Sequence, residues 1–347
     1  MSAISKTQQT SETEQHDTDR TLFASNGQIY TPSAQPDFDQ IEEDANSLRQ
    51  PGTLIGNHYR LEKRMGIGGM SEVWKAIDII REEGNLRDPY VAIKFLSADF
   101  KPHPDALKVF VREFNRYERV VHPNIVRAYK LDRTENETFI VMAFLDGILL
   151  TELIKKNPHG LQIKKAKSII KDMAAALAHA HHEGIAHLDF TPNNIFYDPK
   201  TEKIKVIDFG VAQPIKTSER EQTNYTFKGL AALTKPYASY EILMALTPDA
   251  RADIYSLACI SYELLSGKHP YKGNAANEAQ QKNLHPAPIK KLNRKQNKVL
   301  LNALAIKRNE RIDSVENFFN GLFPSPNPVK KCLVISVGIM ILLLLLI

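Results

Sequence analysis

Cysteine is scarce in this chain, with two in 347 residues, Cys259 and Cys332. One lies inside the apolar run I-Y-S-L-A-C-I-S-Y-E-L-L and the other in an apolar C-terminal stretch. Neither position suits a disulfide framework or a zinc-binding spacing, and a reducing compartment fits. The N-terminus, M-S-A-I-S-K-T-Q-Q-T-S-E-T-E, has no apolar central region, so no secretory leader is expected. No internal repeat occurs, which excludes a solenoid. No basic patch with interleaved aromatics occurs either, so nucleic acid is not an expected partner.

What is present is a globular composition, 43% hydrophobic and 24% charged, with a formal net charge of +5. The charge is uneven. Residues 1–58 hold nine acids against Lys6, Arg20 and Arg49, a net of −6, which leaves +11 for the remainder. Residues 1–52 are rich in Ser, Thr, Gln, Asp and Glu and too poor in large apolar residues to offset ordering entropy, so a disordered tail is expected there. Order is expected to begin near Tyr59.

Stretches 59–65, 72–79, 89–96, 127–133 and 138–144 read as strands. Stretch 105–121 has helical apolar spacing, with Leu107, Phe110, Val111, Phe114, Tyr117, Val120 and Val121. Helices are expected at 164–183, 253–266, 298–306 and 314–322. A strand-rich first part followed by a helical second part predicts an α+β fold of two lobes, about 59–146 and 147–323.

After the domain at 53–323 comes a stiff linker, 324–331, with Pro324, Pro326 and Pro328. Lys330 and Lys331 then precede sixteen uncharged residues, 332–347. As a helix that segment spans ~24 Å, against roughly 30 Å of hydrocarbon. Snorkelling lysines and local thinning make up the difference. A transmembrane anchor with the domain on the cytoplasmic side is the expectation, and a buried core helix is the alternative.

The residues that carry chemistry are spread over the domain. Met65-Gly66-Ile67-Gly68-Gly69-Met70-Ser71 is a glycine turn between two strands, suited to close approach of backbone to phosphate. Val91-Ala92-Ile93-Lys94 ends an apolar strand on a lysine that is costly to bury unpaired. Its carboxylate partner is expected to be Glu113, nine residues before His122-Pro123-Asn124, with Glu118 the competing choice. In H-L-D-F-T-P-N-N, Asp189 precedes Asn194 by five residues, and Asp208 opens Asp208-Phe209-Gly210. Hard oxygens at that spacing suit Mg²⁺ and a hydroxyl nucleophile around a transferable phosphate.

Over about 59–323 this set of motifs resembles the eukaryotic-type protein Ser/Thr kinases also found in bacteria. The resemblance implies the two-lobed kinase fold, ATP, Mg²⁺ or Mn²⁺, protein substrates with Ser/Thr acceptors, and self-association for autophosphorylation. It gives Asp189 the role of orienting the substrate hydroxyl and accepting its proton. Asn194 and Asp208 would be the metal ligands. Met65, Gly66, Ile67, Gly68, Gly69, Ser71, Val73, Ala92, Lys94, Glu113, Met142 (gatekeeper), Ala143, Leu145 and Phe196 would line the ATP site. Glu241 is expected to pair with Arg311, and Asp253 to anchor the catalytic loop.

Three positions depart from the family pattern. Leu188 replaces an Arg that pairs with a phosphorylated activation loop, so activation is not expected to depend on a phosphate docking there. Thr191 stands in the catalytic set where a Lys usually contacts the γ-phosphate, which implies a slower reaction. Tyr240 replaces a Pro next to Glu241. These departures keep open a second reading, a pseudokinase that serves as a membrane-tethered ATP-binding or scaffold module.

Overall fold

A computed structural model of the chain describes residues 49–325 apart from 69, 99, 136, 211 and 215–234. Its upper lobe is a six-stranded antiparallel sheet in the order β1-β2-β3-β4-β6-β5. The strands are β1 (Leu54–Ile55), β2 (Tyr59–Ile67), β3 (Ser71–Asp78), β4 (Tyr90–Leu96), β5 (Ala128–Arg133) and β6 (Thr138–Ala143). A short helix, α1 (Ile79–Glu83), follows β3 and is capped by the Asp78 side chain. Helix α2 (Ala106–Arg119) connects β4 to β5.

Strand alternation gives the sheet two faces with different tasks. Trp74, Ile93, Phe95, Phe139 and Val141 close an upper cluster with Tyr59 and Leu61. On the lower face, Ala92, Ile140 and Met142 join the main core, and Val73 packs against it. The register places Val73 opposite Lys94 and Ala92 opposite Met142. Lys94 therefore shares the lower face with these apolar residues and points where the second lobe begins.

Short elements β7 (Ile148–Leu149) and α3 (Leu150–Lys155) lead into α4 (Ile163–His182), whose inner face is fully apolar over Ile169, Ile170, Met173 and Leu177. Then come β8 (Ile185–Ala186), β9 (Ile195–Asp198), β10 (Lys203–Val206) and β11 (Gln213–Pro214). They form small sheets in the orders β10-β9-β7 and β11-β8. The remaining helices are α5 (Tyr240–Leu243), α6 (Arg251–Ser266), α7 (Ala276–Gln281), α8 (Arg294–Ala303) and α9 (Val315–Leu322). Helix α6 is buried nearly all round and centres the lower lobe.

The expected two-lobed α+β arrangement is present. The differences have local causes. Helix α8 begins at Arg294, earlier than residue 298, because the Asn293 side chain accepts from the Gln296 amide while Gln296 reaches back to the Asn293 amide. The small sheets are too short to show periodicity. Order also begins before Tyr59, within the stretch expected to be disordered. Arg49 is 7% exposed. Its guanidinium donates to Glu72 and to Glu137, and it lies 4.4 Å from the centroid of the Phe95 ring. Those carboxylates are 23 and 88 residues away, so no local pattern announces the pairing. Residues 1–48 and the apolar stretch 332–347 lie outside the described residues. Among the described residues no helix is long and apolar enough to cross a membrane.

Arg311 Nη1 meets Glu241 Oε1 at 2.7 Å, and Nη2 meets Oε2 at 3.2 Å. The same guanidinium donates to the carbonyls of Ala305, Ile306 and Arg251. Both side chains are buried. Glu241→Gln halves this pairing while leaving the guanidinium enclosed, so a loss of about 3–5 kcal/mol is expected in urea unfolding of the full chain. A loss under about 1 kcal/mol would show that the bridge behaves as a surface pair.

Candidate active site

The cleft between the lobes brings four distant segments together. Lys94 Nζ, at 6% residue exposure, meets Glu113 Oε1 at 2.6 Å and Asp208 Oδ1 at 3.3 Å. Glu113 is thus the helix partner, and Glu118 stays on the exposed side of α2. Burial works against the Lys94 charge, but the Asp208 and Glu113 carboxylates outweigh it and raise its pKa well above the ordinary lysine range. Enclosure likewise opposes ionisation of Asp208, and Lys94 together with the Gly210 amide holds its carboxyl below the usual range. The three groups form one charged cluster, with 44% of the Asp208 side chain still open to the cleft.

Asp189 and Asn194 sit on the loop between β8 and β9. Asn194 Nδ2 donates to the Asp189 carbonyl at 2.8 Å and to its Oδ2 at 3.0 Å. With the amide nitrogen spent in this way, Oδ1 is the atom Asn194 can offer a cation. Asp208 uses Oδ1 for Lys94 and for the Gly210 amide, which leaves Oδ2. A carboxylate oxygen and an amide oxygen are hard donors, and Mg²⁺ is commonly held by one or two such groups plus substrate phosphates. The residues present fit that ion. Among the described residues no cluster of three His, Cys, Asp or Glu side chains forms a self-sufficient metal cage.

The loop itself is held from below by Asp253 on α6, which is fully buried. Its Oδ2 accepts from the His187 amide and its Oδ1 from the Leu188 amide, both at 2.8 Å. His181 Nε2 lies 2.7 Å from Oδ2. These contacts fix Leu188 at φ +65°, a left-handed conformation that a leucine adopts only under constraint. The Leu188 side chain packs with Ala186, Ala238, Ile242 and Ala252.

The expected ATP-site residues lie on elements of both lobes. Val73, Ala92, Met142, Ala143 and Leu145 border one apolar cluster. Met65, Gly66, Ile67 and Gly68 run along the end of β2, Ser71 opens β3, and Gly69 lies outside the described residues. Phe196 is half-buried on β9, opposite Leu149 and Lys205.

Thr191 brings no charge to the catalytic loop. It is 2% exposed and its Oγ1 is sealed without a hydrogen-bond partner among the described residues. Its backbone is extended ahead of Pro192. The loop hydroxyls at which the family resemblance would put a regulatory phosphate, Thr217, Ser218, Thr223 and Thr226, and Thr234, the threonine it would set against the catalytic loop, lie outside the described residues. Sequence reasoning missed Arg49, His181 and Arg116, and took Tyr117 only as a core position of α2. The signal for Arg116 and Tyr117 was their spacing from Glu113, three and four residues along the same helix face.

Comparison with known proteins agrees with this geometry. Residues 59–322 match the model of the protein kinase domain. A probable serine/threonine-protein kinase of Clostridium acetobutylicum is 32% identical over 69% of this chain and 34% of its own length. Serine/threonine-protein kinase PrkC of Bacillus subtilis is 34% identical over 65% of this chain and 33% of its own. Serine/threonine-protein kinase PknB of Mycobacterium tuberculosis is 34% identical over 68% and 36%. The chain thus spans about a third of the length of the curated relatives it matches. The crystal structure of the Mycobacterium tuberculosis PknI kinase domain shares the fold, with a TM-score of 0.57 at 23% identity over 80% of this chain and 98% of that one.

Beside the described end of the segment after β11, Tyr237 Oη donates to Glu263 Oε2 at 2.7 Å. Burial pushes the Glu263 carboxyl up to about 7, and the hydrogen bond from Tyr237 opposes the rise. The folded value lies above the unfolded one, near ~4.3. The stabilising contribution is therefore complete at low pH and is lost as pH rises through about 7. Burial lowers His269, beside Tyr237, to about 4, and its contribution runs the opposite way. Subtracting the profile of Glu263→Gln isolates the glutamate. The wild-type melting temperature should fall relative to that variant between roughly pH 5 and 8. Parallel profiles would overturn the assignment.

Proposed function

Because this chain belongs to the protein kinase family, we propose that its inter-lobe cleft transfers the γ-phosphoryl group of ATP to serine or threonine hydroxyls of proteins. The observation that carries this reading is the joining of Lys94 to both Glu113 and Asp208, at 2.6 and 3.3 Å. A scaffold that only binds nucleotide has no need of two carboxylates from two elements converging on one buried lysine.

Each residue has a task that follows from its placement. The backbone of the turn after β2 covers the phosphates, Met65, Val73 and Ala92 on one side and Phe196 on the other enclose the adenine, and Met142 is the gatekeeper. Lys94, kept charged by its two carboxylates, holds the non-transferring phosphates. Asp189, with its carboxylate pinned by Asn194 Nδ2, orients the acceptor hydroxyl and takes its proton as that oxygen bonds to the γ-phosphorus and the bond to the bridging oxygen breaks, releasing ADP. Asn194 Oδ1 and Asp208 Oδ2 would hold Mg²⁺, which would supply charge neutralisation on the phosphates. Catalysis is then chiefly positioning, which the buried anchors Asp253 and Arg311 make rigid.

We also read the segment 332–347 as a membrane tether that holds the domain on the cytoplasmic side. The support is compositional: a proline-rich linker, Lys330 and Lys331, then an unbroken apolar run.

Full-length protein incubated with labelled ATP, Mg²⁺ and a generic basic acceptor should transfer phosphate. Asp189→Asn should cut that rate by at least ~100-fold with ATP binding retained. ATP binding without transfer in the wild type would favour the scaffold instead. For the tether, the expressed full chain should stay with the membrane fraction through alkaline carbonate extraction and move to the supernatant when 332–347 is deleted. Release of the intact chain by carbonate would sink that reading.

A further inference from the structure

Arg49 lies ahead of residue 59, where the match to the protein kinase domain begins, and the proposed reaction gives it no task. It is nevertheless buried, which is costly for a guanidinium unless its surroundings satisfy it. The residues that follow it tie its backbone to β2. The Gly52 amide donates to the Leu61 carbonyl at 2.8 Å, and the Leu61 amide donates to the Thr53 carbonyl at 2.9 Å. From there the side chain crosses the next three strands of the sheet. Nη1 donates to Glu72 Oε2 at the start of β3. Nη2 donates to the Leu96 carbonyl at the end of β4, at 3.3 Å, and to Glu137 Oε2 just before β6, at 2.9 Å. The guanidinium lies over the Phe95 ring, on the face away from Val73, Ala92 and Met142. The far oxygens of both carboxylates are also taken: Glu72 Oε1 accepts from Trp74 Nε1 at 2.6 Å, and Glu137 Oε1 meets Lys101 Nζ at 3.3 Å.

These strand ends share one neighbour, the glycine turn between β2 and β3. Glu72 directly follows Ser71. The Leu96–Ser97 peptide unit is held on both sides. Its carbonyl accepts from Arg49, and its N–H donates to the Met70 carbonyl of the turn at 3.1 Å. Hydrogen bonds in such a chain polarise one another, so a cation on the carbonyl strengthens the bond that the N–H makes to the turn. Inside the turn, the Gly68 amide donates to the Ser71 carbonyl at 2.7 Å. A glycine-rich turn loses more backbone freedom on ordering than other segments and has few side chains to hold it. Support at its base therefore matters more than it would at an ordinary strand end.

We infer that Arg49 is a positioning residue for the phosphate-covering turn, acting through Glu72 and the Leu96–Ser97 peptide from the face of the sheet opposite the nucleotide. The inference rests on the proposed function only in giving the turn a phosphate to cover. The task calls for arginine. Two terminal nitrogens of one planar fork meet acceptors on three strands above an aromatic ring, which a single ammonium cannot reproduce.

Loss of a residue that merely supports folding would weaken every ligand alike. Loss of Arg49 should weaken only ligands that carry phosphates, because the apparent affinity falls by the fraction of time the turn is in place. Adenosine, which the turn does not cover, is the control. The test uses the full chain as wild type, Arg49→Met and Arg49→Lys. Affinity is measured for ATP with Mg²⁺ and for adenosine. Amide exchange is measured without ligand over 66–71 and over 91–93 in the middle of β4.

Arg49→Met should lower ATP affinity by roughly tenfold and leave adenosine affinity within about twofold of wild type. Exchange over 66–71 should speed up while exchange over 91–93 stays at the wild-type rate. Arg49→Lys, which keeps the charge and loses the fork, should recover part of the loss. The inference is overturned if ATP affinity and exchange over 66–71 stay at wild-type values. It is equally overturned if adenosine affinity falls in step with ATP affinity, or if 91–93 exchanges faster in step with 66–71. A wild type that binds neither ligand would count against the proposed function, and the two exchange regions would still decide the role of Arg49. Should Arg49→Met fail to fold, Arg49→Lys and Glu137→Gln, which leave part of the charge network in place, decide it by the same measurements.

Discussion

A buried lysine that must find two carboxylates is the constraint on which the rest of the site depends. Lys94 lies on the apolar lower face of the sheet, where an unpaired ammonium would cost several kcal/mol. Glu113 and Asp208 relieve that cost, and they come from different places: a helix of the upper lobe and a loop of the lower one. Satisfying one side chain therefore fixes α2 against the sheet and the Asp208 loop against both. The burial that makes Lys94 expensive is also what makes its charge effective toward a phosphate, since the surrounding medium screens it weakly. The cleft is thus assembled by the same electrostatic requirement that equips it for its ligand.

The lower lobe repeats this logic with backbone atoms as the beneficiaries. Asp253 is enclosed, and its oxygens are satisfied by two consecutive loop amides and by His181. Arg311 joins Glu241 to carbonyls from three further residues. Neither arrangement touches a reacting atom. Each converts the stability of a well-packed helix, α6 above all, into the fixed geometry of a loop that has little apolar surface of its own. Loops that carry catalytic groups need such support because they cannot bury enough to hold themselves. The left-handed backbone at Leu188 shows how strongly Asp253 imposes its geometry.

How much of this was legible in the sequence depends on what each residue does. Lys94, Glu113, Asp189, Asn194 and Asp208 act through side-chain charges, and the chemistry demands one residue type at a fixed spacing, so each can be read from the chain. The large elements are also legible, because β4 and α4 bury regular faces. Arg116 and Tyr117 grip main-chain atoms 91 to 94 residues away, and the backbone carries no residue signature at the receiving end. Arg49 is hidden for a related reason: it sits in a polar stretch without periodicity, and its meaning appears only when Glu72 and Glu137 arrive from the sheet. At Thr191 the missing positive charge is legible in the chain, and the burial of the hydroxyl is not.

The departures at Leu188 and Thr191 share a physical theme. An arginine and a lysine at these positions would add two positive charges around the catalytic loop. Here both positions are buried and uncharged, at 6% and 2% exposure. Among the described residues, Lys94 and Arg116 both belong to the upper lobe, and each is tied to the Asp208 segment. Glu113, Arg116 and Tyr117 place on one helix the contacts that satisfy Lys94 and the backbone of the Asp208 segment, so the lysine and that segment are held by the same short stretch of chain.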